Sequence, residues 1–450
     1  MVRVTDMTHG RPIRLILLFS LPLMLGSVFQ QLYTIVDTII IGRGVGMQAL
    51  ASIGAADWIN WLVLWGLQGF TQGFAILAAQ EFGAGAYDRL RRVLAMIVKL
   101  SCWFGIAVTI ISLLLVRPLL TLLHTDSAVF GGAQTYLYVQ FGGSLIIIAY
   151  NMAAAVLRCL GDSRTPLFAI IAASFANIAL DLLFVMGFGW GIFGASFATV
   201  LAQLIAFLLC LRSLRRLPFV QLTKADWKTD PAILLHLCRL GIPTGLQMSM
   251  ITLGGMVLQS VLNGFGVVFV AGYTAANKLY GILESASVAF GYAMTAYMGQ
   301  NRGARNAARI DAGIRAVLVL SAEFTAAIVT AMLLAGKPLL GLFLSTEETG
   351  AADALAVAYQ YLMVLMAFLF ALFMLQAYRS SLQGLGEMTV PTLSGFAEML
   401  MRMGAALVLP TFIGQSGVFF AEGAAWVCVA ALNLVWYYMR IGKIKREMLK

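Results

Sequence analysis

Residues 31–40, QLYTIVDTII, place one aspartate, Asp37, inside an apolar run. The run from Leu15 to Ile41 holds no other charged residue and is long enough to cross a bilayer. An ionisable side chain at that depth costs about 2.5–3.5 kcal/mol on insertion scales, and such side chains usually serve function. We therefore expect Asp37 to bind a proton or a small cation. The alternative is a structural carboxylate that is hydrogen-bonded to a neighbouring hydroxyl.

A second carboxylate lies in the segment ANIALDLLF, where Asn177 precedes Asp181 by four residues. This spacing places both side chains on one face of a helix. An amide beside a carboxylate can share a proton or hold a small cation. The alternative is that Asp181 is a structural polar anchor near one end of its helix.

Pro22 precedes Asp37 by fifteen residues within the same run. A proline inside a helix removes one backbone hydrogen bond and permits a bend. A protonatable group and a hinge on one helix are the components of a proton-driven switch, so Pro22 is predicted to be a hinge.

Few other acidic residues fall inside apolar segments. The set assigned to predicted spans is Asp37 and Asp181 in the first half of the chain, and Glu284, Glu323, Glu398 and Glu422 in the second. Glu398 and Arg402 are four residues apart and are predicted to form an ion pair. Glu284 and Lys278 could pair only if their helix bends, and Glu323 and Glu422 are expected near the membrane surface.

The composition indicates an integral membrane protein. Of 450 residues, 61% are hydrophobic and 11% are charged, whereas soluble domains contain about 25% charged residues. The formal charge of +10 is more consistent with residues that fix membrane topology than with a nucleic-acid partner. The polar start of the chain predicts no cleaved signal peptide.

Several enzyme classes lack their signatures in this sequence. The five cysteines show no CxxC spacing, and the three histidines do not cluster. There is no GxxxxGK[ST], HExxH or GxSxG motif. We therefore expect no enzyme activity, no cofactor and no direct use of ATP.

Hydropathy predicts twelve helical spans. They are placed near 15–41, 48–80, 93–116, 132–157, 167–187, 192–211, 240–265, 269–298, 313–335, 355–378, 390–412 and 417–439. Both termini are placed in the cytosol. The cytosolic segments, counted to include Arg379 and also Arg315 at the start of the ninth span, then contain 24 of the 30 basic residues, whereas outer segments contain three and spans contain three. This bias follows the positive-inside rule and predicts a multi-pass protein of the inner (cell) membrane.

The two halves of the chain repeat one another. VRPLLTLL at 116–123 matches GKPLLGLF at 336–343, and VLRCLGDSRTP at 156–166 matches SLQGLGEMTVP at 381–391. Five such pairs keep the same order, which predicts two parallel six-helix repeats with a midplane cavity. The predicted domains are a six-helix lobe at 1–211, a basic cytosolic linker at 212–235 and a second six-helix lobe at 236–450.

Four longer motifs carry a resemblance to a known family. They are SLPLMLGSVFQQLYTIVDTIIIGRGVGMQALAS at 20–52, QEFGAG at 80–85, LRCLGDSRTP at 157–166 and NIALDLLFVMGFGWGIFGASFAT at 177–199. In this order the chain resembles the multidrug and toxic compound extrusion (MATE) family over nearly its whole length, and in particular the branch of the DNA-damage-inducible membrane protein. The resemblance implies an all-α, V-shaped transporter that exports drugs or organic cations in exchange for protons or sodium by alternating access.

The resemblance also implies roles for individual residues. The coupling positions are matched by Asp37, Asn177, Asp181 and Thr199, which could also hold sodium, and by Tyr136. Substrate-cavity positions are matched by Gln30, Tyr33 and Asn151, and the proline at which the first helix bends is matched by Pro22. A second branch carries its cation site in the C-terminal lobe, but Ile251 and a position near Leu372 replace its two acids here. Coupling is therefore expected in the N-terminal lobe.

Two other readings remain open at this point. A flippase for a lipid-linked saccharide or another lipid would share the span plan. Such proteins line their cavity with several basic residues for a pyrophosphate, whereas the basic residues assigned to spans here are Lys99, Lys278 and Arg402. A membrane enzyme or structural bundle would need a cluster of catalytic groups. The transporter is expected to act as a monomer in the lipid bilayer.

Overall fold

The computed structural model describes residues 4–344 and 350–449, and these form thirteen α-helices with no β-strand among them. The helices are α1 Pro12–Gly44, α2 Met47–Gly83, α3 Tyr87–Leu122, α4 Ser127–Gly142, α5 Ser144–Cys159, α6 Arg164–Asp181, α7 Gly191–Arg215, α8 Pro231–Leu262, α9 Val267–Gly303, α10 Ala307–Gly341, α11 Ala351–Gly384, α12 Thr389–Ile413 and α13 Phe420–Leu449. The fold is therefore all-α, as the sequence predicts.

Ten helical segments in the described residues are long and apolar enough to cross a membrane, or eleven if the bent pair α4 and α5 is one span. Helix α9 is not in this set, because polar residues such as Asn277, Lys278 and Glu284 interrupt its apolar sequence. Each predicted span nevertheless overlaps a helix.

The fourth predicted span, 132–157, is not one straight helix. It is divided at Gly143 into α4 and α5, which meet at a bend of 50°. A Cβ atom on Gly143 would lie 2.7 Å from Cγ1 of Val200 on α7. Because Gly143 has no side chain, the backbone at the bend can lie close to α7. Hydropathy alone does not predict this contact.

The described residues divide into two compact units. One contains the residues up to Asp6 together with Leu21–Gly245, and the other contains Met7–Ser20 with the residues from Leu246 onward. Helices α1 and α8 each contribute to both units, and each changes unit within two residues of its internal proline, Pro22 or Pro243. The predicted domain boundaries at 211 and 235 stay a prediction.

In the first unit, glycines bring α2 and the first part of α8 into backbone contact. A Cβ on Gly69 would lie 2.8 Å from Cα of Gly245, and a Cβ on Gly73 would lie 2.6 Å from Cα of Gly241. Small residues at a four-residue spacing are the usual means by which helices approach closely in a membrane, because lipid supplies no hydrophobic drive between them. These four glycines fix the position of α8 against α2.

The predicted cytosolic linker contains two 3-10 turns, Pro218–Val220 and Lys224–Trp227. Lys99 of α3 donates hydrogen bonds from Nζ to the carbonyl oxygen of Trp227 at 2.6 Å and to Oγ1 of Thr229 at 2.9 Å. Lys99 was assigned to a span, but its ammonium group binds the linker. The lysine side chain is long enough to place its charge at the end of the helix.

Asp226 organises the second turn of the linker. Its Oδ2 accepts hydrogen bonds of 2.7 Å from both the backbone N–H and the hydroxyl of Thr223, and Nε of Arg91 lies 3.7 Å away. Burial by itself would raise the pKa of Asp226. The hydrogen bonds from Thr223 and the charges of Arg91 and Arg92 outweigh burial and lower this pKa below its ordinary value.

The close contact at Gly73 predicts that a large side chain destabilises the protein at this position of α2 but not at Gly54. Gly73→Leu should destabilise the protein by about 1–3 kcal/mol, because overpacking must separate α2 from α8. Gly54→Leu is the matched control, since Gly54 also lies on α2 but no atom lies within 4 Å of the place where its Cβ would stand. Thermal unfolding in detergent measures both variants. Equal midpoints for the two would contradict a tight contact at Gly73.

The lowered pKa of Asp226 predicts a pH-dependent role in linker stability. Since this pKa is lower in the folded state than in the unfolded state, the stabilisation is present above the unfolded pKa and disappears as the pH falls through the folded pKa. Asp226→Asn should increase amide hydrogen exchange across 218–230 at neutral pH, and its difference from the wild type should shrink in acid. Asp88→Asn, which alters an exposed acid bonded to the same Arg91, is the control. A difference that does not vary with pH would refute this account.

Candidate functional site

Asp37 and Asp181 come together through the packing of α1 against the end of α6. Ile40 and Ile41 of α1 share a buried cluster with Val185, and Val36 and Ile178 pack against it. These apolar residues flank the two acids in sequence, so burying them turns both carboxyl groups into the same region. The carboxyl groups interact with each other, and we call Asp37 and Asp181 the carboxyl pair.

The chain changes its helical form immediately after Asp181. Helix α6 ends at this residue and continues as a π-helical segment, Leu182–Gly187. Such segments occur frequently at functional sites because they leave backbone geometry that a regular helix does not offer. The fifth predicted span was drawn as a regular helix over these residues, and the periodicity of the sequence gave no sign of the change.

The polar atoms of this region are buried without partners. Asp181 has no exposed surface and Asn177 is 1% exposed. Within the described part of the chain, neither oxygen of Asp181, neither side-chain polar atom of Asn177, nor Oδ1 of Asp37 has a hydrogen-bond partner. A buried polar group left in this way costs about 1–3 kcal/mol. Binding of a proton or a cation at this site would explain why the protein keeps polar groups that lower its stability.

Two tyrosines lie within electrostatic reach of the carboxyl pair. Tyr33, one turn before Asp37 on α1, interacts with both acids, and Tyr136 of α4 interacts with Asp37 and Tyr33. The hydroxyl of Tyr136 also accepts a hydrogen bond of 3.3 Å from Nδ2 of Asn60. Tyr136 is thus within electrostatic reach of Asp37, and its role in coupling stays a prediction.

Asp57 and Asn60 of α2 were not predicted as site residues, and the list of acids in spans omitted Asp57. Asp57 interacts electrostatically with Tyr136. Asn60 donates a hydrogen bond to the Tyr136 hydroxyl. The three-residue spacing of Asp57 and Asn60 places them on one face of α2. An acid within an apolar segment, the signal that identified Asp37, would have identified Asp57 as well.

The remaining predicted residues are less closely connected to the pair. Thr199 of α7 donates its hydroxyl to the carbonyl oxygen of Ala195 at 3.2 Å, and Asn151 donates to the carbonyl oxygen of Ile147 at 2.9 Å. Gln30 is exposed on α1. No hydrogen bond between described residues joins Thr199, Asn151 or Gln30 to Asp37 or Asp181.

The donor set of the region suits a small hard cation. Asp37, Asp181, Asn177 and Thr199 offer carboxylate, amide and hydroxyl oxygens, which are the ligands that such ions prefer. The unpartnered oxygens of the first three are free to bind an ion or, if a carboxyl is protonated, to accept its proton. Within residues 4–344 and 350–449 no three His, Cys, Asp or Glu side chains group as a metal site.

The second unit contains a separate group of charges. Nη2 of Arg402 lies 3.2 Å from Oε1 of Glu398 and 2.7 Å from Oε2 of Glu422. Nη2 of Arg379 lies 2.5 Å from Oε2 of Glu398. The predicted pair of Glu398 and Arg402 is confirmed. Arg379 was counted as a cytosolic residue, but it lies within α11 and is 4% exposed, because Glu398 provides a buried partner.

At the two positions where the second branch carries acids, this chain has apolar residues, Ile251 and, near the second position, Leu372. The carbonyl oxygen of Ile251 accepts a hydrogen bond of 3.2 Å from Nη1 of Arg402, and Leu372 is 2% exposed in the core. The acidic residues of this unit lie at other positions.

Two long segments of the chain match one known family model. The family, described as MatE, is matched at residues 22–183 and again at 243–408. The chain belongs to the MATE family. MATE proteins are membrane transporters and not enzymes.

Individual MATE relatives match the chain over its length. It is 31% identical over 455 residues to the probable multidrug resistance protein YpnP of Bacillus subtilis (strain 168), covering 99% of this chain and 98% of the relative. It is 27% identical over 440 residues to the probable multidrug resistance protein YoeA of the same organism, covering 95% and 94%. A crystal structure of MATE in complex with MaL6 has a TM-score of 0.91 at 24% identity, covering 99% of this chain and 100% of that one, which shows the shared fold.

The unpartnered atoms of Asn177 predict opposite effects on stability and transport. Asn177→Leu should stabilise the MATE protein by about 1–3 kcal/mol, because a side chain of similar volume removes two unsatisfied polar atoms. If the carboxyl pair binds an ion, the same change should weaken that binding, because the amide oxygen is lost. Thermal unfolding in detergent and drug efflux from cells measure the two effects. A lower unfolding midpoint would show that the Asn177 amide is satisfied in the membrane.

Proposed function

We propose that this protein is a secondary active multidrug efflux transporter, which exchanges organic compounds, often cationic, for protons or sodium. The observation that carries the proposal is the carboxyl pair, with its buried unpartnered oxygens beside the unpartnered amide of Asn177. The names of the relatives, probable multidrug resistance proteins, support the class of substrate.

The chemistry of coupling follows from charge. Two carboxylates in a low-dielectric region repel each other, so one cation or proton between them is favoured. Asp37 and Asp181 would bind it, with the Asn177 oxygen and the Thr199 hydroxyl as further ligands for sodium, and Tyr33 and Tyr136 beside them. Binding of the ion removes the repulsion, which lets α1 and α6 approach and closes a drug site that includes Gln30, Tyr33 and Asn151.

Pro22 supplies the hinge in this proposal. Because proline has no N–H, the carbonyl oxygen of Leu18 lacks its helical partner. The unit assignment of α1 changes between Ser20 and Leu21, next to this break. A change of charge at Asp37 would then move the part of α1 that follows Pro22.

The proposed topology has twelve spans, with α9 and the bent pair α4 and α5 each counted as one and both termini in the cytosol of the cell membrane. The family model matches the chain twice, once in each half, which supports two parallel six-helix repeats. We propose that the protein works as a monomer in the bilayer by alternating access, with no cofactor besides the coupling ion. The V shape stays a prediction.

A lipid flippase is the alternative, and the positions of the basic residues do not favour it. Lys99 is bonded to the linker and Arg402 is held by two glutamates. Of the three basic residues assigned to predicted spans, only Lys278 remains for a pyrophosphate. The same export assay distinguishes the two functions.

Asp37→Asn should abolish coupled export. In everted vesicles, wild-type protein should move ethidium when either a pH gradient or a sodium gradient is imposed, and the effective gradient identifies the ion. The ethidium transport rate of the variant should be at least tenfold lower than that of the wild type, because an amide cannot exchange a proton or neutralise a cation. Fluorescence of ethidium during transport is the measurement.

Two controls define the result. Asp126→Asn alters an acid that caps α4 through a hydrogen bond to the Ala128 N–H and should retain export. Asp181→Asn should behave as Asp37→Asn does. Full transport by Asp37→Asn would refute coupling at the carboxyl pair, whereas a wild type that moves no ethidium but scrambles a fluorescent lipid would favour the flippase.

A further inference from the structure

Met7 lies near the start of the chain and yet has no exposed surface. It begins a turn, residues 7–10, that leads into α1, and we call residues 7–10 the strap. The strap belongs to the second unit, together with residues 12–20 of α1 and with α9 and α10. A segment near a chain end keeps one position only where other groups bind it, so the strap needs partners in this unit.

The partners are polar side chains at the end of α9 and the start of α10. The backbone N–H of Met7 donates to Oε1 of Gln300 at 2.8 Å. The carbonyl oxygen of Met7 accepts hydrogen bonds from Nδ2 of Asn301 at 3.1 Å and from Nη2 of Arg309 at 2.9 Å. Nη1 of Arg309 donates to the carbonyl oxygen of Gly10 at 2.8 Å. We call Gln300, Asn301 and Arg309 the strap site.

Contacts within the second unit hold the strap site in shape. Gln300 and Asn301 have no exposed surface. The Asn301 side chain also donates to the carbonyl oxygen of Tyr297 at 2.8 Å and accepts from Nε of Arg309 at 3.0 Å. The guanidinium carbon of Arg309 lies 5.6 Å from the centre of the Tyr297 ring. A Cβ on Gly313 would lie 2.3 Å from Cε1 of Tyr297, so this glycine leaves room for the ring that supports Arg309.

The strap site recognises main-chain atoms. All four hydrogen bonds between the strap and the site use backbone groups of Met7 or Gly10. The two terminal nitrogens of one guanidinium reach carbonyl oxygens three residues apart, and the compact ammonium group of a lysine does not reproduce this planar fork. Gly10 has a φ of +90°, a conformation that favours glycine. The site therefore fits a segment with a buried apolar side chain at position 7 and a glycine at position 10.

The first part of α1 is also held at its other end. Ile16 and Ser20 have no exposed surface. The hydroxyl of Ser20 is shared between the carbonyl oxygen of Ile16 at 2.8 Å and that of Ala289 on α9 at 3.4 Å. Ser20 is the last residue of α1 in the second unit. The segment Met7–Ser20 is therefore attached at both ends, and the attachment stops just before Pro22.

We propose that the strap site is a dedicated binding site for the main chain of the strap, and that it fixes the first part of α1 while the part after Pro22 moves. The inference rests on the proposed export function, in which Pro22 is the hinge. A hinge needs one fixed side, because otherwise both sides move and the movement is divided between them. With the strap bound, a change of charge at Asp37 moves only the side of α1 that carries Asp37.

Arg309 has a simpler role that the test must separate from this one. A basic residue outside the spans can serve as a positive charge that fixes topology or attracts anionic lipid. Lysine supplies such a charge as well as arginine does, but it loses the fork that joins Met7 to Gly10. Arg309→Lys therefore leaves the simpler role intact and removes the binding of the strap.

Amide hydrogen exchange of the purified full-length protein tests the proposal. Arg309→Lys should raise the exchange rate across Met7–Ser20 by about tenfold or more, because charge-assisted hydrogen bonds to the strap are lost. Arg305→Gln alters an exposed basic residue of the same turn and is the control, which should exchange as the wild type does. Gly10→Ala serves as a second variant, and should loosen the same segment from the strap side because alanine is strained at a φ of +90°.

Export is the second measurement. Arg309→Lys should lower the rate of ethidium export by about threefold or more, because a loosened hinge changes the rate of the conformational step. The gradient that drives export should stay the same, since the carboxyl pair is unchanged. Wild-type exchange across Met7–Ser20 in both variants would overturn the proposal. Faster exchange spread evenly over all helices would do so as well, because it indicates a general loss of stability. Local loosening with full export would show that the strap does not serve the hinge.

Asp37→Asn separates this inference from the export function. If Arg309→Lys loosens Met7–Ser20 and slows export while Asp37→Asn still transports, coupling at the carboxyl pair is wrong and the strap site stands. If Asp37→Asn abolishes export and Arg309→Lys matches the wild type in both measurements, the export function stands and the strap site does not.

Discussion

The solvation cost of a carboxylate buried among apolar helices constrains both halves of this protein, and each half meets it differently. In the first unit, Asp37 and Asp181 interact electrostatically, and the oxygens of Asp181 have no hydrogen-bond partner among the described residues. In the second unit, Glu398 is neutralised by two arginines. An acid that is fully paired holds helices together, whereas an acid left without a partner remains able to bind and release an ion.

The helices around the carboxyl pair keep these acids in place through apolar and small residues. Ile40, Ile41 and Val185 fill the space between α1 and the end of α6, and the glycines of α2 and α8 allow backbone contact elsewhere in the unit. Neither contact tolerates a large change in side-chain volume. The polar site thus depends on close packing of residues that carry no charge.

The internal repeat of the sequence is accompanied by a clear difference in chemistry. Pro22 and Pro243 occupy matching places in α1 and α8, and each helix changes unit beside its proline. The helix that follows Pro22 carries Asp37, whereas Ile251 lies after Pro243. The acids of the second unit come from α9, α12 and α13 instead. The two halves therefore carry their buried acids at different positions.

The sequence by itself determined the helices, because long apolar segments must satisfy their backbone groups internally. It also determined pairs of neighbours on one helix, such as Asn177 with Asp181 and Glu398 with Arg402, since a four-residue spacing fixes their face. Only the tertiary structure decided the bend at Gly143, the electrostatic interaction of Asp37 with Asp181, the burial of Arg379 and the interaction of Asp57 with Tyr136. Each of these joins residues on different helices, and helical periodicity does not specify which face of one helix meets another.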